Sequence, residues 1–383
     1  MQQGSAPSVR TLLFLALISL TLFLPGFFSL PPVDRDEARF AQASKQMIES
    51  GDFVDIRFQD EPRHKKPIGI YWLQSAAVAL SGAGADAPIW VYRLPSLLGA
   101  VLAVLLTAAI GARLFDRRTG LLAAVLLASS LLLGVEARLA KTDAALLACI
   151  MGAQLALARA WIERDRPGEP ALLPALGFWL AVGAGILIKG PIILLVCGGT
   201  AFLLSLWERS GRWLLRLRPG LGVPLAVLVV APWLIAIAIE SDGAFFGASI
   251  GRDLLGKVLS GQESHGAPPG YYTLAVWLTF WPASLLLVLA LPWIWMHRHN
   301  APVRFCLAWG MPVWIVFELV VTKLPHYVLP AYPALALLAA RALIDGLPGP
   351  KGTAAMGRLA ERLRLLVLPI WLLITLALAL APV

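Results

Sequence analysis

The chain of 383 residues is 58% hydrophobic and only 14% charged, with a formal net charge of +9. Together with a mean hydropathy of +0.75, this composition excludes a soluble globular protein and is typical of polytopic membrane proteins. The positive charge does not indicate a nucleic-acid partner, because basic residues in a membrane protein first serve its cytoplasmic loops and anionic lipids. The three cysteines lie in apolar runs without metal-ligand spacing, so neither a disulfide framework nor a thiolate metal site is predicted.

Long apolar segments recur from the N-terminus to the C-terminus. A hydrocarbon core about 30 Å thick needs roughly 20 helical residues, and the first run, Thr11–Leu30, lacks a signal-peptide cleavage site and is interpreted as a retained span. The sequence therefore predicts an all-α membrane protein with about eleven transmembrane helices. These lie near residues 12–30, 92–112, 119–135, 142–161, 171–188, 190–207, 221–240, 271–296, 302–321, 326–343 and 363–381.

The distribution of Lys and Arg predicts the orientation of the chain. With the N-terminus in the cytoplasm, the short cytoplasmic loops carry clusters of basic residues, as the positive-inside rule requires. This orientation depends on residues 67–84 not crossing the membrane. We interpret them as an interfacial helix on the outer surface, with Tyr71 and Trp72 at the level of the lipid headgroups.

The first external loop, residues 31–91, is unusually rich in charge for this chain. Within it, Glu37–Glu49 has the pattern of a juxtamembrane helix that ends at Ser50-Gly51. Four further polar clusters are predicted on the same face: Glu136–Asp143, Lys189–Pro191, residues 241–270 and Thr322–Tyr327. The sequence thus predicts one domain over residues 1–383, with the active site in the loop 31–91, a second site loop at 241–270 and no soluble C-terminal domain.

The basic residues of the first external loop oppose the positive-inside bias, which indicates an anionic partner there. A lipid-linked phosphate fits, because Lys and Arg both bind phosphate oxygens; the alternative is pairing with the acidic residues of the same loop. Asp36 and Glu37 follow the first span directly. A carboxylate at a membrane interface can act as a base near neutral pH, although both residues are also ordinary at a helix start.

Several motifs resemble those of the GT-C membrane glycosyltransferases, most closely the branch with protein O-mannosyltransferases and lipid A aminoarabinose transferases. In the first loop the matching segments are Asp36–Ala41, Glu49–Phe53 and Lys66–Ile68 before Tyr71-Trp72. The later matches follow in family order: Ala137–Ala140 with Asp143, Leu187–Pro191, Phe245-Phe246, His265 with Pro268, Tyr271-Tyr272 and Lys323–Pro330.

This resemblance implies a glycosyltransferase of the bacterial inner membrane. It would move a sugar from a polyprenyl (undecaprenyl) phosphate donor to a lipid or glycan acceptor, lipid A among the candidates, on the periplasmic face and within membrane lipid. The residues implied in catalysis are Asp36, Glu37 and Asp143. Those implied in substrate binding are Arg39, Lys66, Lys189, Arg252, Lys323 and Tyr327.

The resemblance also implies a divalent metal, zinc, magnesium or manganese, with His265 as a ligand. The candidates for a further ligand in this chain are Glu61, His64 and Glu263. The chain departs from the aminoarabinose branch at Lys65, where that branch has a metal-binding glutamate. Both a metal-dependent and a metal-free site therefore stay open.

Two alternatives of other classes are a lipid-linked-sugar flippase or transporter and a non-catalytic envelope scaffold. A transporter typically places ionisable groups at mid-membrane depth in broken helices. The predicted spans are nearly free of charge, with Glu318 as the main exception, which favours the transferase. The density of charge on the external face argues against a scaffold.

Overall fold

A computed structural model describes residues 6–249, 251, 256, 266–346, 362, 365 and 369–376, and these are mostly helical. A two-stranded antiparallel hairpin joins β1 (Arg57–Phe58) to β2 (Glu61–Pro62). Within the described residues, 3-10 helices cover Gly84–Asp86, Arg212–Leu217 and Pro325–Ala331. The α-helices are α1 (Val9–Phe23), α2 (Arg35–Ser50), α3 (Gly69–Ser81), α4 (Ile89–Leu114), α5 (Arg117–Ala128), α6 (Leu131–Glu136), α7 (Asp143–Ile162), α8 (Leu172–Lys189), α9 (Ile192–Glu208), α10 (Pro219–Glu240), α11 (Ala244–Phe246), α12 (Tyr271–Thr279), α13 (Ala283–His297), α14 (Ala301–Leu319) and α15 (Tyr332–Ile344).

The helices confirm a multi-pass membrane protein but do not reach the predicted count of eleven spans. In the described part of the chain, six helices are long and apolar enough to cross a membrane, or seven if α12 and α13 form one span. Helices α1 and α9 are apolar but shorter. The predicted span 119–135 is divided between α5 and α6, and the predicted span 363–381 lies largely outside the described residues. The six helices that are long and apolar enough to cross a membrane are α4, α7, α8, α10, α14 and the segment Pro325–Ile344.

The predicted single span over residues 271–296 is wrong in shape, because α12 and α13 meet at an angle of 120°. The break falls just before Pro282, whose ring removes a backbone donor and clashes with the preceding turn of a helix. The carbonyl of Trp281 instead accepts a hydrogen bond from the amide of Leu131 at 3.2 Å. The bend therefore ties this segment to the start of α6.

Small residues allow the central helices to pack closely. A Cβ atom added at Gly111 of α4 would lie 2.4 Å from the Cα atom of Gly120 in α5. Such contact between helix backbones is common in membranes, where van der Waals packing rather than the hydrophobic effect drives helix association. Helices α5 and α7 thus pack closely against α4 in the centre of the bundle.

The juxtamembrane helix predicted over Glu37–Glu49 is confirmed as α2. It begins after Asp34, whose carboxylate accepts a hydrogen bond from the amide of Asp36 at 2.7 Å, a standard N-cap. It ends at Gly51, whose φ of 71° is the left-handed conformation that glycine adopts readily.

The segment predicted to be an interfacial helix forms α3, but the predicted position of Tyr71 is wrong. Tyr71 is completely buried, and its ring lies 5.5 Å from that of Phe40 in α2. Position 71 shares a helix face with the buried Gln74 and Val78, and this face packs on α2 and α4. Trp72, one residue on, remains 39% exposed.

Candidate active site

Charged side chains from five separate segments converge at one end of the helix bundle. Three of them are buried and two are partly buried, although the surroundings are largely apolar. The segments are the end of α6, the α6–α7 connection, the start of α7, the last residue of α8 and the 3-10 helix before α15. The members of this acidic-basic cluster are Glu136, Lys141, Asp143, Lys189 and His326.

Asp143 lies at the centre of the cluster. The Nζ atom of Lys189 lies 2.5 Å from its Oδ1 atom, and Nε2 of His326 lies 3.9 Å from the same oxygen. The other nitrogen of His326 lies 3.5 Å from Oε1 of Glu136. The histidine therefore stands between two carboxylates, and Lys189 neutralises one of them.

Lys141 connects the cluster to the first external loop. Its Nζ atom contacts Oδ2 of Asp34 at 3.0 Å and Oε1 of Glu136 at 3.5 Å. Burial opposes the charge of Lys141, but the neighbouring carboxylates, Glu136 foremost, outweigh this effect and raise its pKa. Burial likewise opposes ionisation of Asp34, yet the charge and hydrogen bond of Lys141 prevail and lower its pKa. The N-cap of α2 is thus held against the bundle by a charged contact.

Burial acts most plainly on the carboxyl of Glu136. Its side chain is 3% exposed, and burial raises its pKa to about 7 in spite of the nearby ammonium of Lys141. Its Oε2 atom is buried and has no hydrogen-bond partner among the described residues. A buried carboxyl of this kind is energetically easier to keep neutral than charged.

A cavity of about 240 Å³ opens beside the cluster. Its polar wall is formed by Lys66, Asp143, Lys189, His326 and Tyr327. The Lys189 ammonium lies 5.7 Å from the centre of the Tyr327 ring, within the range of a cation–π contact. The rest of the lining is apolar and consists of Leu146, Pro191, Ile192, Leu195, Val316, Phe317, Val320 and Pro330. The cavity thus offers both charged and apolar surface, as a charged head on an apolar chain requires.

The structure brings four of the predicted site residues to this cavity: Lys66, Asp143, Lys189 and Tyr327. Asp36 and Arg39 lie elsewhere, on the partly exposed side of α2, where they pair at 3.6 Å. Neither is among the residues that line the cavity. The predicted site residues therefore lie in two places, one group at the cavity and the pair Asp36 and Arg39 on α2.

Glu37 has a structural position that the sequence did not indicate. It is fully buried, and its Oε1 atom accepts hydrogen bonds from Nε of Arg93 at 2.7 Å and from the amide of Ala140 at 3.0 Å. Arg93 also donates to the carbonyls of Phe27 and Leu30. The resemblance implied a catalytic role for Glu37; in the structure its oxygens face these donors and fasten α2 to α4, and Glu37 is not among the residues that line the cavity.

Lys323 likewise lies outside the cavity lining. Its ammonium donates to the carbonyls of Phe317, Glu318 and Val320 at 2.5–2.8 Å. Two of these carbonyls belong to the last turn of α14 and the third to the residue that caps it, and a lysine there satisfies orphan acceptors and complements the helix dipole. Arg252 and His265, both predicted from the resemblance, lie outside the described residues.

The cluster offers a set of metal-ligand atoms but does not fit a divalent cation as arranged. Glu136, Asp143 and His326 place one ligand atom each within 4.8 Å of one another. However, the ammonium groups of Lys189 and Lys141 already contact the same oxygens, so a dication would meet two positive charges at close range. The predicted ligand Glu61 lies apart, exposed on β2.

Sequence reasoning had grouped Glu136–Asp143 as an external polar segment without assigning roles to Glu136 or Lys141. Their signal was present, because charged residues between two apolar runs are costly to bury and are kept mainly for a purpose. The sequence did not indicate that Lys141 pairs with Asp34, which lies 107 positions earlier in the chain.

Comparison with solved structures identifies proteins that share the fold of this chain. The described helices superimpose on the crystal structure of ArnT from Cupriavidus metallidurans bound to undecaprenyl phosphate with a TM-score of 0.76 and 22% identity, over 89% of this chain and 61% of that chain. The archaeal oligosaccharyltransferase AglB from Archaeoglobus fulgidus aligns with a TM-score of 0.59 and 15% identity, over 96% of this chain and 54% of that one. The chain thus shares the fold of these two membrane proteins.

Sequence comparison confirms the resemblance inferred from the motifs. Residues 65–235 match the family described as dolichyl-phosphate-mannose-protein mannosyltransferase. The undecaprenyl phosphate-alpha-4-amino-4-deoxy-L-arabinose arabinosyl transferase of Pseudomonas paraeruginosa is 32% identical over 340 residues, which cover 86% of this chain and 60% of that protein. The chain therefore spans about 60% of the length of the curated relatives it matches.

Proposed function

We propose that this protein transfers a sugar from a polyprenyl phosphate to a lipid or glycan hydroxyl, with lipid A as a candidate acceptor. The observation that carries the proposal is the cavity lined by both lysines and apolar side chains. A polyprenyl phosphate has the matching chemistry, since its phosphate requires cationic donors and its chain stays in an apolar environment. The relatives named above support this assignment.

In the proposed reaction the bond between the anomeric carbon and the phosphate oxygen breaks, and its electron pair stays on the phosphate. The acceptor oxygen forms the new bond to the anomeric carbon and loses its proton to a carboxylate. Lys66 and Lys189 stabilise the charge that grows on the leaving phosphate, an effect that is strongest in a site shielded from water. Tyr327 donates a hydrogen bond to the same phosphate.

Two predicted carboxylates compete for the role of proton acceptor. Asp143 lines the cavity but is paired with Lys189, whereas Asp36 is partly exposed at the loop, where a water-soluble acceptor group would approach. Comparison of Asp143→Asn with Asp36→Asn decides between them. The base is the residue whose amide variant loses turnover while donor binding is retained.

We further propose that the cluster faces the periplasm, that the N-terminus is cytoplasmic and that α1, α5 with α6, α9 and the C-terminal segment complete eleven spans. Cysteines introduced at Asp60 and Ser210 test this arrangement, because both positions are exposed. A membrane-impermeant maleimide should label the cysteine at position 60 and spare that at position 210 in intact spheroplasts. The reverse pattern contradicts the orientation.

The transfer itself is tested by reconstituting the full chain with a polyprenyl-phosphate sugar and an envelope lipid extract. We expect free polyprenyl phosphate and glycosylated lipid to accumulate in equal amounts. If the labelled donor instead crosses the bilayer intact, with no polyprenyl phosphate released for any acceptor tried, the chain is a flippase and the roles above are wrong.

A further inference from the structure

A second and larger groove lies at the opposite end of the bundle from the cluster. It has a volume of about 900 Å³ and is formed by the ends of α9 and α13 and the start of α14. This volume is in the range of sites that bind a molecule of several hundred daltons. The groove shares no residue with the cavity beside Asp143.

The walls of the groove are apolar and open. Leu291, Trp295 and Met311 are 52%, 63% and 40% exposed, and Trp207 adds a second indole. Along α14 the groove extends from Arg304 to Met311, a rise of about 10 Å for seven helical residues. A segment of a lipid acyl chain fits along a groove of this length.

Basic residues line the mouth of the groove. Arg298, His299 and Arg304 line it, and the Arg298 guanidinium lies over the Trp295 ring at 4.3 Å. Arg304 contacts Glu208 at 3.0 Å. The adjoining segments 207–212 and 297–304 contain four arginines and only this one acidic residue: Arg209, Arg212, Arg298 and Arg304 against Glu208. The mouth therefore has an excess of positive charge.

We propose that this groove binds one anionic phospholipid, with the phosphate at Arg298 and an acyl chain along Trp295 and Met311. Charge at one end and apolar walls behind it match the shape and polarity of such a lipid, and a zwitterionic lipid lacks the net charge that the mouth selects. The inference is independent of the transfer reaction, because it concerns the other end of the molecule. It also holds for either orientation of the chain.

Native mass spectrometry of the purified full chain tests the proposal with phosphatidylglycerol and with phosphatidylcholine of the same acyl chains. We expect one retained phosphatidylglycerol per chain and preference over phosphatidylcholine. Arg298→Gln should weaken phosphatidylglycerol binding about fivefold, the usual effect of one basic residue at an anionic membrane surface. The matched control is Arg118→Gln, which removes the same charge from an exposed position outside the groove.

A second variant tests the apolar part. Met311→Trp partly fills the groove and should reduce retention of both lipids, with thermal unfolding near that of the unaltered protein. Equal weakening by Arg298→Gln and Arg118→Gln would show only general attraction of anionic lipid and overturn the site. Equal retention of the two lipids, or retention of none because another part of the chain fills the groove, overturns it as well.

Discussion

The two ends of the bundle use charge in opposite ways. At the cluster, ion pairs are buried: the side chains of Lys189 and Asp143 are 12% and 7% exposed, and Lys141 is 7% exposed. At the other end, the pair of Arg304 with Glu208 is 28% and 31% exposed. Pairs at both ends join segments that are distant in the chain, since Arg304 and Glu208 are 96 positions apart, so burial rather than sequence separation distinguishes the two ends.

The two ends differ in the free energy that it costs to place their charged side chains. Exposed pairs cost little to form and contribute about 0–1 kcal/mol. Removing a carboxylate or an ammonium from water costs several kcal/mol per ion, which the partner repays only with good geometry. The buried pairs of the cluster therefore contribute little net stability and are better explained by binding and chemistry. We expect the exposed arginines to set the orientation of the chain in the membrane and to contact lipid.

The largest effect is expected where a buried pair has only a structural role. Glu37→Ala leaves Arg93 charged and buried, so we expect the free energy of unfolding to fall by about 3–5 kcal/mol. Thermal unfolding in detergent measures the loss. Arg93→Ala should behave alike, and the double variant should lose less than the sum of the two. Additive losses would mean that the pair is not coupled.

Loss of a cavity lysine should affect turnover more than folding. Lys189→Ala removes a donor to the leaving phosphate, so we expect kcat to fall by about 10²–10³-fold. Steady-state transfer by the reconstituted protein measures the change. Lys45→Ala, on the exposed pair with Asp86, is the control and should keep normal turnover. A similar loss in both variants contradicts a specific role for the cavity.

Glu136 predicts a pH dependence of stability. Because its pKa is raised to about 7 in the fold from the ordinary 4.5, the unfolded chain loses this proton first as pH rises. The contribution of Glu136 to stability is thus complete below pH 4.5, declines up to about pH 7 and then levels off. Relative to Glu136→Gln, the protein should lose on the order of 2–3 kcal/mol across this window. Parallel curves for the two proteins would show that Glu136 titrates normally.

The lysines of the cluster predict that the cavity works without a divalent metal. Dialysis against a chelator should change turnover by less than about twofold, because Lys141 and Lys189 already hold the oxygens that a cation would need. Metal content by elemental analysis accompanies the assay. A loss that zinc, magnesium or manganese restores would instead support the predicted site at His265 and Glu61.

The smallest effect is expected at an exposed pair of the other end. Glu169→Gln breaks a contact with Arg218 in which the carboxylate is 90% exposed, so unfolding free energy should change by less than about 0.5 kcal/mol. Thermal unfolding is again the measurement. A change as large as that of Glu37→Ala would remove the contrast between the two ends.

Sequence alone was sufficient where local chemistry decided the structure. The pattern of Glu37–Glu49 and the stop at Ser50-Gly51 predicted α2, and the Lys66, Lys189 and Tyr327 motifs belong to segments that meet at the cavity. It was insufficient where the outcome depended on contacts across the chain. The burial of Glu37 by Arg93, the inward position of Tyr71 and the bend before Pro282 all depend on which helices pack together, and composition does not specify that.

The central claim is that the cavity lysines act on charge that develops during transfer. The most direct test measures kcat and donor affinity together for Lys66→Ala in the reconstituted protein. We predict that kcat falls by about 10²-fold or more, while the donor Kd rises by less than tenfold, since the contribution is larger in the transition state than in the bound donor. A variant with weakened donor binding and unchanged kcat would contradict the account.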